Sequence, residues 1–215
     1  MEEIKEQNTS PVEEPPKSTK EKLFETAIDL FSSQGFKGVS IRNLTGAIGI
    51  KESSFYNHFK SKDDLIEAIF TYYKTAFAQT MPPEERIEAI LKTIPPADFL
   101  RQGNLRFMER MAAPQVQKIW QILFTEQNRD ERARQIIFQD MVQMPVAYTE
   151  KVFKTMLKMD LVKDLDPKLL AAEYQYPVAF MFSVFLMTNY EHADVETLKK
   201  QLADHVDFFW KIIQK

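Results

Sequence analysis

The chain has 215 residues, a length that suits one large core or two small domains sharing an interface. It contains 17 phenylalanines and 10 methionines but only 5 glycines and no cysteine. This composition disfavours β-sandwiches and glycine-rich nucleotide folds, and it excludes disulfides, thiolate metal sites and cysteine nucleophiles. The net charge is −3, so the overall charge gives no sign of nucleic-acid binding.

The first 17 residues are acidic, contain three prolines and have few apolar side chains, which predicts a disordered tail. This composition is the opposite of a signal peptide, which has a basic start and an apolar centre. The most apolar run, Val178 to Met187, is about half as long as a membrane span. We therefore expect a cytoplasmic protein without membrane contact.

The first predicted helix begins at Ser18. Ser18 and Glu21 have the spacing of a capping box, and apolar residues at helical period continue to Phe31. Gly35 is a suitable residue to end this helix.

Two short helices follow, at 41–48 and 52–58, with Gly49 between them. Glycine permits the left-handed backbone of a tight turn, Ile50 fills the angle between the helices, and Phe55 anchors the second one. This is the spacing of a helix-turn-helix, whose second helix can enter a major groove about 12 Å wide.

The remaining chain is also predicted to be helical. Ser61 caps a long helix, and prolines at 82–83, 95–96 and 114 divide the next stretch. From about 130 to 159 the helical pattern continues through Pro145, which should kink or end it. Pro167 begins an apolar helix that contains Pro177, and a last helix covers about 195–213. The expected fold is all-α, with about nine helices and no strand.

The exposed face of the second short helix would carry side chains that can donate hydrogen bonds to phosphates or base edges: Lys51, Ser53, Ser54, Tyr56 and Asn57. Residues 18–62, which include Arg42, sum to a charge of +3, whereas residues 1–17 sum to −3. Such a basic block is typical of a nucleic-acid-binding element. The alternative is a packed helical hairpin with a merely polar outer face.

Residues 19–66 resemble the N-terminal domain of TetR-family transcriptional regulators. The resemblance rests on LFSSQGFKGVSI, on the turn AIGI and on the run SSFYNHFKSKDDLI. That run contains Tyr56, His58, Phe59, Lys62 and Leu65, which match the family's YxHFxxKxxL signature.

The resemblance implies that Ser40, Tyr56 and Lys62 contact phosphates, while Lys51, Ser53, Ser54 and Asn57 face the bases. It also implies that the domain at 18–64 binds palindromic operator DNA as part of a homodimer. Two positions depart from the family pattern: Thr45 stands where alanine is usual, and Gly46 weakens a short helix by about 1 kcal/mol.

The second predicted domain, 65–215, is rich in aromatic residues and methionine, which can form an adaptable pocket for a small lipophilic or aromatic effector. The candidate lining residues are Phe107, Met111, Trp120, Phe124, Met141, Tyr148, Tyr174 and Phe180. For any one of them, ordinary core packing is the alternative.

The last helix carries a narrow apolar seam that is predicted to form a dimer interface with the preceding helix and its symmetry mate. Its residues are Leu198, Leu202, Val206, Phe209, Trp210 and Ile213. The alternative is that this helix folds onto its own core. Dimerisation through this region is also what the resemblance implies.

Enzyme chemistry finds little support in the sequence. The three histidines, His58, His192 and His205, are far apart, and no glycine-rich phosphate loop or metalloprotease motif is present. We expect no metal, no cofactor and no catalysis. Two rival hypotheses stay open: a helical ligand-binding or scaffold protein with a degenerate helix-turn-helix, and an all-α enzyme that uses a C-terminal cavity.

Overall fold

The computed structural model describes residues 16–188 and 195–215. Most of the predicted tail, residues 1–15, and the segment 189–194, which includes His192, lie outside the described residues. The helices are α1 (Thr19–Gly38), α2 (Ile41–Ala47), α3 (Glu52–Phe55), α4 (Lys62–Ala78), α5 (Glu84–Leu91), α6 (Pro96–Met111), α7 (Pro114–Glu126), α8 (Glu131–Ile136), a π-helical segment (Ile137–Gln143), α9 (Met144–Lys158), α10 (Pro167–Thr188) and α11 (Val195–Ile213). The all-α prediction is confirmed: within the described ranges, β pairing is limited to one isolated bridge between Val162 and Gln214.

The predicted start of α1 is confirmed, whereas its predicted end at Gly35 is a kink in a helix that continues to Gly38. The Ser18 hydroxyl accepts from the Glu21 amide, and the Glu21 carboxylate accepts from the Ser18 amide at 2.8 Å. These bonds satisfy amide groups that a helix start otherwise leaves unpaired. At Gly35 the backbone adopts φ +70°, which interrupts the helix before a last turn that ends at Gly38.

The turn between α2 and α3 has the hydrogen bonds of a Schellman motif. Gly49, at φ +73°, donates to the carbonyl of Gly46, and Ile50 donates to the carbonyl of Thr45 at 3.0 Å. The second short helix ends earlier than predicted, at Phe55 rather than His58. The backbone there tightens: the amide of His58 donates to the carbonyl of Phe55, three residues back.

The stretch from Glu131 to Lys158 is one continuous helical rod with a π-helical segment in its middle. Pro145 is the second residue of α9, just after that segment, and it neither ends the rod nor lies in a loop. Proline lacks an amide hydrogen, and its ring would collide with the carbonyl four residues before it in a regular α-helix. The wider π turn accommodates this conflict.

The second half of the molecule is built around α10, which packs against α9 and α11. One face of α10 is buried, with Tyr174, Val178 and Phe182 in the core, whereas Tyr176 and Phe180 are exposed on the opposite face. The helix is therefore half-buried rather than enclosed on all sides. By its length and its mean hydropathy of 1.3, α10 is also long and apolar enough to cross a membrane. A helix in the core of a soluble protein can meet the same two criteria, so this is weak evidence for a membrane span.

Candidate nucleic-acid interface and effector cavity

The second short helix and the turn after it present a polar surface to solvent. Lys51, Ser53, Tyr56 and Asn57 are exposed, and 58% of the Tyr56 surface is open, although its ring contacts the fully buried ring of Phe55. Ser54 is half-buried. The structure thus places the predicted base-facing residues and Tyr56 together on one outward surface, which we call the reading surface (residues 51–57).

Ser40 and Arg42 lie beside this surface at the start of α2. The Ser40 hydroxyl accepts from the Asn43 amide at 3.1 Å and donates to the Asn43 side-chain oxygen, so this hydroxyl is engaged in a cap. Arg42 is exposed. The sequence reasoning missed Asn43, although the serine-to-asparagine spacing of three residues is that of a capping box.

Lys62 has a structural contact that the sequence does not predict. Its ammonium group donates to the carbonyls of Phe36 at 2.8 Å and Val39 at 2.9 Å, where α1 ends. An ammonium group has three N–H donors. A phosphate contact by Lys62 would therefore use the one that remains.

A buried carboxylate joins the N-terminal helices to the rest of the chain. Glu126, at the end of α7, is only 3% exposed and accepts from the backbone amide of Phe36 at 2.8 Å. A Cβ at Gly35, where φ is +70°, would lie 2.7 Å from this carboxylate, so a larger residue there is strained and displaces the Glu126 carboxylate. Arg132 adds a second connection, with two hydrogen bonds to the Asp63 carboxylate.

The second half encloses a cavity of about 90 Å³ between α4, α6, the π-helical segment, α9 and α10. Four of the eight predicted lining residues are in its wall: Phe107, Met141, Tyr148 and Tyr174. The other four lie elsewhere, because Met111 and Trp120 are buried in the core while Phe124 and Phe180 are 43% and 71% exposed.

The polar groups of the cavity were not among the predicted residues, which are all aromatic residues or methionines. The side-chain amide of Asn104 donates to the Tyr174 hydroxyl at 3.0 Å, and that of Gln175 donates to the Thr149 hydroxyl at 2.7 Å. Arg106 is also in the wall. No local pattern marks these residues, since the wall comes from five separate segments.

Tyr148 has a buried hydroxyl without a hydrogen-bond partner among the described residues. Burial raises the pKa of this phenol to about 12, and the positive charge of Arg106 partly opposes the increase. The phenol is therefore a neutral donor at pH 7.

The apolar seam of α11 is inside its own subunit, which corrects the predicted dimer interface. Leu198, Leu202, Val206, Phe209 and Ile213 are each at most 7% exposed, and Trp210 packs against the same core. Phe209, for example, contacts the rings of Phe153 and Tyr174. A helical period alone does not show whether an apolar stripe is covered by the same chain or by a second copy.

A different apolar surface is exposed on α10 and α11. Its members, Tyr176, Phe180, Met187, Phe208 and Ile212, are 49% to 71% exposed. We call these five residues the outer apolar face. Among the described residues, no three histidine, aspartate or glutamate side chains are placed to hold a metal ion.

Comparison with known proteins identifies the N-terminal region. Residues 20–69 match the model of bacterial regulatory proteins of the tetR family. An uncharacterised HTH-type transcriptional regulator of Bacillus subtilis, YerO, is 34% identical over 83 residues, which are 39% of this chain and 28% of that protein. Other matched relatives are named as transcriptional repressors. The chain covers 26% to 61% of the lengths of the first four relatives.

Solved structures match over nearly the whole chain. A TetR-family regulator from Mesorhizobium loti gives a TM-score of 0.66 at 16% identity, covering 91% of this chain and 96% of that one. A transcriptional regulator from Saccharomonospora viridis in complex with choline gives 0.61 at 21% identity, covering 91% and 97%. At these identities the likeness shows the fold.

The fold and the reading surface define an all-α protein that carries a helix-turn-helix domain in front of a helical body. Residues 20–69 thus form a helix-turn-helix domain that matches the tetR family model, and the fold of the described chain is that of solved TetR-family structures.

Proposed function

We propose that the protein is a homodimeric transcriptional regulator, acting as a repressor, that binds palindromic operator DNA in the cytoplasm. A small lipophilic or aromatic effector would release it. The observation that carries this proposal is the reading surface, where hydrogen-bond donors lie exposed on α3 and on the residues just before and after it, a segment that the buried rings of Phe55 and Phe59 fix to the core. A rigid, outward-facing helix is what major-groove recognition requires.

In the proposed complex, α3 of each subunit enters a major groove. The Tyr56 hydroxyl contacts phosphate, while Lys51, Ser53 and Asn57 contact base edges. Two such helices related by a twofold axis would read half-sites whose centres lie about 34–36 Å apart, or a multiple of that distance.

The outer apolar face supports the homodimer. Phe180 and Phe208 are 71% and 66% exposed, and large exposed apolar patches are typical of protein interfaces. A twofold axis through this face would pair α10 and α11 of one subunit with their copies in a four-helix interface. This arrangement keeps the predicted dimerisation helices but uses a face of α11 that lies about 100° around the helix from the predicted seam.

The cavity supports regulation by a ligand, because it is mostly apolar and has a few polar groups. The choline complex of the Saccharomonospora protein shows a ligand bound to a protein of this fold. Effector and operator binding would be coupled, so each must weaken the other by the same free energy. The named relatives are transcriptional regulators, and they give no support to the enzyme alternative.

The test is binding of the full-length chain to operators selected from random duplexes, measured at several salt concentrations. We expect a steep loss of affinity with salt, because phosphate contacts release counterions. Tyr56→Phe should weaken binding to all sequences alike, whereas Asn57→Ala should relax the preference at particular bases by about 1–3 kcal/mol.

Tyr72→Phe is the matched control, since Tyr72 is a partly exposed tyrosine on α4, outside the reading surface. It should leave operator affinity unchanged. Absence of any salt-dependent DNA binding would favour the degenerate scaffold alternative. A Tyr56→Phe effect confined to one base position would contradict the phosphate assignment.

A further inference from the structure

Two groups of the cavity, a charged guanidinium and a buried hydroxyl without a partner, indicate which class of ligand it can bind. Of the side chains in the wall, one carries a formal charge, the guanidinium of Arg106 on α6, and no aspartate or glutamate is among them. Arg106 makes no hydrogen bond or ion pair with the described residues. The wall therefore offers a positive charge with no counter-ion.

Arg106 stands at the mouth of the cavity. Together with Thr80, Glu109 and Arg110 it also lines a wider, more open depression of about 350 Å³ on the protein surface. Deeper in, the wall is aromatic and aliphatic, with Phe77, Phe99 and Phe182. A ligand that matches this change from a charged mouth to an apolar interior has a polar end near solvent and an apolar body inside.

Both spare polar groups are donors. The Tyr148 hydroxyl is buried without a partner, and the electrostatic influence of Arg106 extends to it. The other polar side chains of the interior, Asn104 with Tyr174 and Thr149 with Gln175, already pair with each other. Among the described residues, the Tyr148 hydroxyl is thus the unpartnered buried polar atom of the wall, and an unsatisfied buried donor is costly until an acceptor arrives.

We propose that the effector is an organic acid, with a carboxylate that pairs with Arg106 and accepts from Tyr148, and with an apolar body in the aromatic interior. A carboxylate has two oxygens and can satisfy both donors at once. A cationic ligand would place its charge next to this guanidinium, in a wall that has no aspartate or glutamate to attract it. This inference rests on the proposed function, because it names the ligand class of the same cavity.

The experiment measures direct binding to the full-length chain by calorimetry, with no DNA present. The probes are straight-chain monocarboxylates from hexanoate to dodecanoate, the alcohols of equal length, and octyltrimethylammonium. We expect at least one carboxylate to bind about tenfold or more tightly than its alcohol, and the quaternary ammonium to bind weakest.

Arg106→Gln should remove this preference, lowering carboxylate affinity about tenfold while leaving the alcohol unchanged. Tyr148→Phe should weaken the carboxylate several-fold. Arg86→Gln, an exposed arginine on α5 that is not in the wall, is the matched control and should change neither.

The proposal is overturned if no carboxylate binds, if alcohols or the ammonium compound bind as tightly, or if Arg106→Gln leaves the carboxylate affinity intact. Because these measurements contain no DNA, they are independent of operator binding. A carboxylate that binds through Arg106 but does not release the operator would contradict the proposed regulation and leave the ligand class standing.

Discussion

Asp140 is a residue at which the packing leaves a buried charge poorly compensated. It lies in the π-helical segment, is 8% exposed, and has one carboxylate oxygen without a hydrogen-bond partner in the described part of the chain. Burial raises the pKa of this carboxyl, and the positive charge of Lys74 only partly opposes the change. The neighbouring Tyr73 hydroxyl is also buried and unpartnered, and its pKa is raised by burial.

We predict that Asp140→Asn stabilises the fold at pH 7 by about 1 kcal/mol, because it removes a buried charge. The folded state has the higher pKa, so it holds the proton more tightly than the unfolded chain. The destabilisation caused by ionised Asp140 therefore grows as the pH rises from the ordinary aspartate pKa to the raised pKa. Above the raised pKa this destabilisation has its full value.

The gain from Asp140→Asn should accordingly shrink as the pH falls toward 4, as measured by urea unfolding at both pH values. Asp164→Asn is the control, since Asp164 is exposed, and its effect should stay within about 0.5 kcal/mol. An equal gain at both pH values would argue against titration of Asp140.

At the scale of elements, two glycines near the junction of α2 and α3 have different roles: Gly46 lies in the last turn of α2 and Gly49 in the turn that follows. Gly49 has φ +73°, a conformation that costs other residues about 1–2 kcal/mol, whereas a Cβ on Gly46 would meet no atom within 4 Å. Thr45 is buried, and its hydroxyl donates to the carbonyl of Ile41 at 3.0 Å, so this departure from the family pattern leaves no polar group unpaired.

The same substitution three residues apart should therefore act in opposite directions. Gly46→Ala should raise the free energy of unfolding by about 0.5–1 kcal/mol through helix propensity, and Gly49→Ala should lower it by at least about 1 kcal/mol. Denaturant titration of both variants checks this, each serving as the control for the other. A change of the same sign in both would refute the roles assigned to them.

Local chemistry determines which elements could be predicted. The caps at Ser18 and Ser61 and the proline-led helices α6, α7 and α10 follow from residues next to each other in sequence, and the structure confirms them. The bond between Glu126 and Phe36 joins positions 90 residues apart, and the polar wall of the cavity comes from five segments. No local pattern encodes such contacts.

At the scale of the whole molecule, the difference between local patterns and long-range contacts also explains why the dimer interface could not be predicted. The seam of α11 has helical period, but the period does not tell whether the chain itself or a second copy covers it. Here the chain covers it. A substitution at Trp210, which packs against the core, would thus test the fold rather than association.

We predict instead that Phe180→Glu yields monomers at micromolar concentration, because it places a charge on the most exposed residue of the outer apolar face. Light scattering gives the mass, and operator affinity should fall with it, since a monomer contacts one half-site. Phe138→Glu alters an aromatic residue that is 53% exposed on the π-helical segment and should leave the dimer intact. A dimer that survives Phe180→Glu would exclude this face as the interface.

The carboxylate of Glu126 has a consequence for how such regulators can be recombined. It accepts a hydrogen bond from the backbone amide of Phe36, beside Gly35, where any larger residue is strained and displaces the carboxylate. A chimera that grafts residues 18–64 onto the body of another regulator loses this bond unless the recipient supplies an acid at the matching place. Exchanging operator preferences between relatives therefore requires the glycine and the glutamate to travel together, although they belong to different modules.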